Sequence, residues 1–154
     1  MNKNFTKDDI IKKHQTNVKS AGSAFTLAGI LGIVYIVRYF ITGNFNFYFS
    51  LSFTEGMLKF IDKGTLTPTA GYVMLGIFIA LYVIGIILIA VNPKNLIYAL
   101  VVYASDFVFL IYQILSNLDT FTSDRLIDVI IHSFIIIFIC VGLYSEKKLR
   151  KMEK

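Results

Sequence analysis

Four ionisable side chains lie inside or at the edge of long apolar stretches: Arg38, Asp106, Asp128 and His132. A charge within a membrane helix costs about 2.5–3.5 kcal/mol on insertion scales, so such groups usually face the protein interior. At about 1.5 Å of rise per residue, Asp106 falls near mid-membrane and His132 in the leaflet away from the termini. Arg38 and Asp128 fall close to the surface of that same leaflet. The shared depth permits a common network.

Facing supports the same idea. On one helix, Tyr103, Asp106, Gln113 and Asn117 fall within one arc at about 100° per residue. They predict a polar stripe from mid-membrane to the outer mouth. On the next, Asp124, Asp128 and His132 repeat every four residues, and a nearby carboxylate favours the imidazolium. Tyr35 and Arg38 are one turn apart.

Two readings of this cluster compete. One is a polar pocket, open outward, that binds a small ligand or relays protons. The other is a set of buried hydrogen bonds tying three helices together, at about 0.6 kcal/mol each on average in membrane proteins. Asp106 is the sharpest of the set, because a mid-membrane carboxylate needs a partner or a proton. Arg38 can also snorkel to headgroups, and Cys140 reads as packing.

The elements that must position these groups are four greasy stretches: Ala24–Ile41, Tyr72–Val91, Leu96–Leu115 and Leu126–Tyr144. Each approaches the ~20 residues a helix needs to cross ~30 Å of hydrocarbon. Hydrophobic residues make up 56% of the 154 and charged residues 16%, against about 45–50% and 25% in soluble domains. The expected fold is an all-α integral membrane protein. It is a bundle of four antiparallel transmembrane helices, with a short amphipathic N-terminal helix over residues 1–20 and a partly ordered outer segment over 42–69. The transmembrane domain spans 21–145, and 146–154 form a basic tail. The first stretch is longer than a ~7–15 residue signal core and lacks a small-x-small cleavage site, so it reads as a retained crossing.

Net charge is +5, and its placement matters more than its sum. Eleven basic residues fall at the two termini and in the 92–95 link; three, Lys59, Lys63 and Arg125, fall in the other connections. Basic loops stay cytoplasmic, which predicts a multi-pass protein of the cell membrane with both termini inside. The basic ends should also meet anionic lipid headgroups. No folded basic face is expected, which argues against nucleic acid.

Local signals fill in the connections. Thr6 can cap the first helix, with Asp8 and Asp9 in its first turn. Phe45, Phe47, Phe49, Leu51 and Phe53 alternate with polar residues, which predicts an extended strand. Thr54–Lys63 reads as a short amphipathic helix capped by Thr54 and stopped by Gly64. Thr67 and Pro68 supply an N-cap and an N1 proline for the second crossing. Asn92-Pro93-Lys94-Asn95 is a tight turn. Ala24, Ala28 and Gly32, and then Gly76 and Ala80, are small residues at four-residue spacing. They are expected to be seams within the bundle.

No hydrolase, zinc-protease, Walker or Rossmann motif is present. His14 and His132 lie on opposite sides, and one cysteine allows neither disulfide nor thiolate cluster, so no metal or cofactor is expected. Three functions remain. The first is a non-enzymatic binding, immunity or accessory protein acting on a protein or lipid partner in the bilayer. The second is a small oligomeric transporter or channel using Asp106. The third is a lipid-modifying enzyme with Asp106 and His132 as acid and base. The abundance of Ile, Phe, Asn and Lys suits an AT-rich bacterial genome.

Overall fold

The computed structural model describes residues 6–43, 51–116 and 123–152, with the side chains of Ser123 and Asp124 excepted. Among these, every regular element is helical: α1 (Lys7–Thr42), α2 (Ser52–Asp62), α3 (Pro68–Val91), α4 (Leu96–Ser116) and α5 (Ser123–Met152). A single 3-10 turn, Pro93–Asn95, joins α3 to α4.

Four of the helices are long and apolar enough to cross a membrane by length and composition. Only 17–28% of each apolar window is buried inside the bundle. The rest is a jacket of side chains such as Leu27, Val37, Ile77, Val108 and Ile137, all more than half exposed. In water so broad an apolar surface would be a liability; in lipid it is the surface a spanning helix presents.

α1 begins where the sequence says it should. Thr6 and Asp9 form a reciprocal capping box, with Asp9 N donating to Thr6 Oγ1 at 3.2 Å and Thr6 N to Asp9 Oδ2 at 3.0 Å. The amphipathic segment near the N-terminus is helical from Lys7 but is not a separate element. It runs unbroken into the first crossing and ends at Gly43. No proline interrupts it, and at Gly22 an added Cβ would come within 3.2 Å of Ile89 Cγ2, so glycine there favours close packing of α1 against α3. The basic tail likewise continues α5 to Met152.

The helices alternate in direction. Asn17 Nδ2 donates to Ser145 Oγ at 3.0 Å, and a Cβ at Gly142 would meet that of Ala21, so α1 and α5 run antiparallel with their terminal ends together. Phe25 stacks on Tyr82 at 4.9 Å, which sets α3 antiparallel to α1. The turn to α4 is pinned as expected: Asn92 Oδ1 accepts from Lys94 N at 3.0 Å, and Asn95 Nδ2 donates to the Leu88 carbonyl at 2.8 Å. Both ends of the described chain therefore lie on one side of the bundle, here the terminal side.

The small-residue seams divide. Ala28 and Gly32 are buried, as expected. Gly76 and Ala80 are exposed, and a Cβ at Gly76 would have open space around it. That pair is not a seam of this bundle, because α3 turns the Leu75, Phe78 and Tyr82 side inward instead.

The connection between α1 and α3 differs most from expectation. Residues 44–50, and with them most of the alternating Phe stretch, lie outside the described residues. Leu51 is extended, but Ser52 and Phe53 already belong to α2. The helix thus starts two residues before the expected cap at Thr54, whose hydroxyl donates to the Leu51 carbonyl at 2.6 Å. Its far end is as predicted: Gly64, at φ 69°, closes it, with Thr65 N and Leu66 N both donating to the Phe60 carbonyl.

Candidate functional site

The site grows from the start of α2, which lies deep in the bundle. Leu51 packs against Gly32, ten residues before the end of α1, and Ser52 reaches Asp106, ten residues before the end of α4. Ten residues of helix correspond to about 15 Å. The N-terminus of α2 is therefore at mid-depth, and its eleven residues climb back to the side opposite the termini. α2 is a re-entrant helix. Backbone at this depth is tolerated only when it is buried in protein, and Ser52, Thr54, Glu55, Gly56, Met57 and Leu58 are all buried.

A helix N-terminus carries amides without intrahelical acceptors and the positive end of the dipole. Leu51, at the N-cap, has no side-chain oxygen to offer. Asp106 supplies both. Its Oδ1 accepts from Phe53 N at 2.8 Å and its Oδ2 from Ser52 N at 3.2 Å. The carboxylate is fully buried at the midpoint of α4. One turn pair further on, Gln113 Nε2 donates to the Ser52 carbonyl at 2.9 Å. A side chain at Gly56 would run into Gln113 and Phe109, so only glycine lets α2 lie this close to α4.

Behind Asp106 stand two more candidates. Tyr103 and His132 are both fully buried, and Tyr103 Oη lies 2.8 Å from His132 Nδ1, sharing one hydrogen with it. That same Nδ1 is 3.6 Å from Asp106 Oδ2, too far for a hydrogen bond but close for an electrostatic neighbour. The rings of Tyr103 and His132 lie 5.4 Å apart. Tyr82 contributes another buried hydroxyl, with no hydrogen-bond partner among the described residues.

A second cluster sits higher on α2. Arg125 of α5 grips Glu55 with both nitrogens, Nη2 to Oε1 at 2.7 Å and Nη1 to Oε2 at 3.1 Å. Lys59, one turn along α2, pairs with the same carboxylate. Arg125 Nη1 also reaches Asp128 Oδ2 at 3.5 Å. The bidentate fork is the stronger form of carboxylate recognition, and here it ties α5 to the re-entrant helix.

The sequence-predicted residues thus separate. Asp106, Tyr103 and His132 come together. Gln113 joins them through α2. Asp128 pairs with Arg125, and His132 with Tyr103. Arg38 is half-buried near the end of α1 and is not a hydrogen-bond partner of Asp106. Asn117 and the side chain of Asp124 lie outside the described residues. The α4 stripe is not an open mouth over its described length, because α2 lies along it. Cys140 is exposed on the lipid-facing jacket and not packed in the core. Among the described residues no group of three or more metal-ligating side chains converges.

Glu55 and Arg125 were the functional side chains that sequence reasoning passed over. Their signal was present as two local charge pairs, Glu55–Lys59 at i,i+4 and Arg125–Asp128 at i,i+3. That the two pairs meet is a tertiary fact.

The fold and site define a class: a four-crossing helical membrane bundle carrying one re-entrant half-helix, capped from a neighbouring helix. Neither protein-family models, nor curated proteins, nor solved structures give a match to this chain.

Proposed function

We propose that this chain is a non-enzymatic protein of the cell membrane, with both termini cytoplasmic, that acts by binding a protein partner. An immunity or accessory role fits that description. The observation that carries the reading is that both oxygens of Asp106 accept backbone amides of α2. The group best suited to ion or proton chemistry is thereby engaged in holding the re-entrant helix. What this scaffold presents is the turn after α2. Asp62, Lys63, Gly64, Thr65, Thr67, Pro68 and Thr69 are exposed there. The turn is pre-shaped by the left-handed Gly64 and by the bonds to the Phe60 carbonyl, and a binding loop on a rigid frame loses little entropy on docking. Of the alternating aromatics only Phe53 falls within the described residues. Phe53 is stacked on Phe78 at 4.4 Å, and α2 is largely buried.

The test is site-specific photo-cross-linking in native membranes. A cross-linker at Thr65 should capture one discrete protein, and one at the lipid-facing Ile84 should capture only lipid. The absence of any protein adduct from positions 63, 65 and 67 overturns the reading. Tags at both ends should be reached by a protease only after the membrane is opened.

A transporter is the second reading, favoured by the buried array of Asp106, His132, Tyr103 and Tyr82. It requires flux in liposomes that Asp106→Asn abolishes. The acid–base enzyme has least support, since both Asp106 oxygens and His132 Nδ1 are already engaged within the protein.

A further inference from the structure

A separate groove of about 420 Å³ opens between α1 and α5 toward the terminal side, lined by Thr16, Lys19, Ser20, Ser23, Ala24 and Phe138. We propose that it holds the phosphate headgroup of an anionic phospholipid, with one acyl chain running along Phe138.

The lining is graded. Thr16, Lys19, Ser20 and Ser23 precede the apolar part of α1, whereas Ala24 begins it. The groove therefore straddles the boundary where headgroups sit. Its polar end offers one ammonium and two exposed serine hydroxyls as donors. The Thr16 hydroxyl donates instead to the Lys12 carbonyl at 3.0 Å. No carboxylate lines the groove. The acid at the same height on α5, Glu146, is taken by Arg150 at 2.7 Å. The pairing of Asn17 with Ser145 also brings Lys147 and Lys148 to the level of Thr16, which raises the local positive field. A monoanionic phosphate diester suits this donor set.

The apolar end decides for a lipid over a soluble anion. Leu27 lies one turn beyond Ala24, and Phe134 one turn before Phe138; both are 58% exposed. By helical spacing they continue the faces of Ala24 and Phe138 beyond the groove into the lipid-facing jacket, where an acyl chain would lie and a free phosphate would gain nothing.

The experiment uses the whole chain in vesicles of four parts phosphatidylcholine to one part phosphatidylglycerol. After gentle extraction, lipid retained per chain is counted by native mass spectrometry. The unaltered protein should retain phosphatidylglycerol in preference to phosphatidylcholine. Lys19→Gln should lower that retention about fivefold, the equivalent of about 1 kcal/mol for one lysine at an anionic surface. Ser23→Phe keeps the charge but fills the groove, and should lower retention as much. Lys13→Gln, outside the groove, should lower retention clearly less than Lys19→Gln does. If Ser23→Phe melts early, Ser20→Leu replaces it as the filling variant. Millimolar inorganic phosphate should not displace the bound lipid. Equal retention of the two lipids overturns the site. So does equal loss in Lys13→Gln and Lys19→Gln with none in the filling variant, which would mean diffuse attraction only. Displacement by phosphate would reassign the groove to a free anion.

Discussion

Asp106→Ala is the most informative perturbation, because the structure says what is lost. Two amides, of Ser52 and Phe53, lose their acceptor at mid-depth. At an ordinary surface helix start, water would take over, and loss of a cap would cost about 0.5–2 kcal/mol. Here Ser52 is only 2% exposed, so water cannot follow. A buried donor left unsatisfied costs about 1–3 kcal/mol, giving about 2–6 kcal/mol for the pair. At about 2–4 °C per kcal/mol for a chain of this size, the melting temperature should fall by about 5–20 °C. Asp106→Asn keeps one carbonyl acceptor but turns an amide donor toward the other N–H, so it should lose about half as much. The global measurement is paired with a local one. In a Cys140→Ser background, Ser52→Cys should resist a membrane-impermeant thiol reagent while Asp106 is present and label readily once Asp106→Ala is added. Melting within a degree of the parent, together with unchanged labelling, would refute the assignment of Asp106 as the cap of α2.

Gly142→Ala should destabilise by about 1–3 kcal/mol, because its Cβ meets the Cβ of Ala21 across the α1–α5 contact and neither can rotate away; adding Ala21→Gly should restore most of the loss. Gly76→Ala, where nothing lies within reach, should be neutral or stabilising by up to about 1 kcal/mol through helix propensity, read in the same melting assay. Arg125→Ala removes the fork and leaves the Glu55 carboxylate to Lys59, so it should cost less than the about 3–5 kcal/mol of an uncompensated buried charge, and replacing both partners by Leu should cost less still; equal losses in single and double variants would mean the fork contributes little. Tyr103→Phe removes one buried hydrogen bond to His132 and should lower stability by about 0.6 kcal/mol, the average for such bonds in membrane proteins.

Much of the architecture was legible because lipid imposes a simple code. The four crossings, the Thr6 cap, the Thr67–Pro68 start and the 92–95 turn each depend on residues within a few positions of one another. The start of α2 was not legible, for a physical reason. Leu51, which sits at the N-cap, has no side-chain acceptor of its own, and Thr54 reads as the helix start instead. The true acceptor is Asp106, 54 residues away. For the same reason the polar face of α4 reads as the wall of an outward-opening pocket. Asp106 and Gln113 do share a face, but the partner on that face is another part of the same chain. Gly142 was missed because a single glycine in an apolar helix is an ordinary sight; only its meeting with Ala21 gives it weight.

The two anomalies of this chain account for each other. An aspartate at the centre of a spanning helix costs about 2.5–3.5 kcal/mol to insert. A helix start at the same depth has amides that hydrocarbon cannot satisfy. Placed together, they form two charge-assisted bonds worth about 1.5–3 kcal/mol each, enough to offset the insertion term. Either feature alone is unfavourable, so Asp106 and the 51–53 backbone should behave as one unit. The coupling can be read by removing the same contact from the other side. Ser52→Pro deletes one donor at the first position of α2, where proline's fixed φ suits a helix. In the Asp106→Ala background that proline should cost far less than in the parent, because the amide it removes is already orphaned. Additive losses in the double variant would mean that the carboxylate and the helix start are only neighbours, and the scaffold reading of the polar cluster would fall with them.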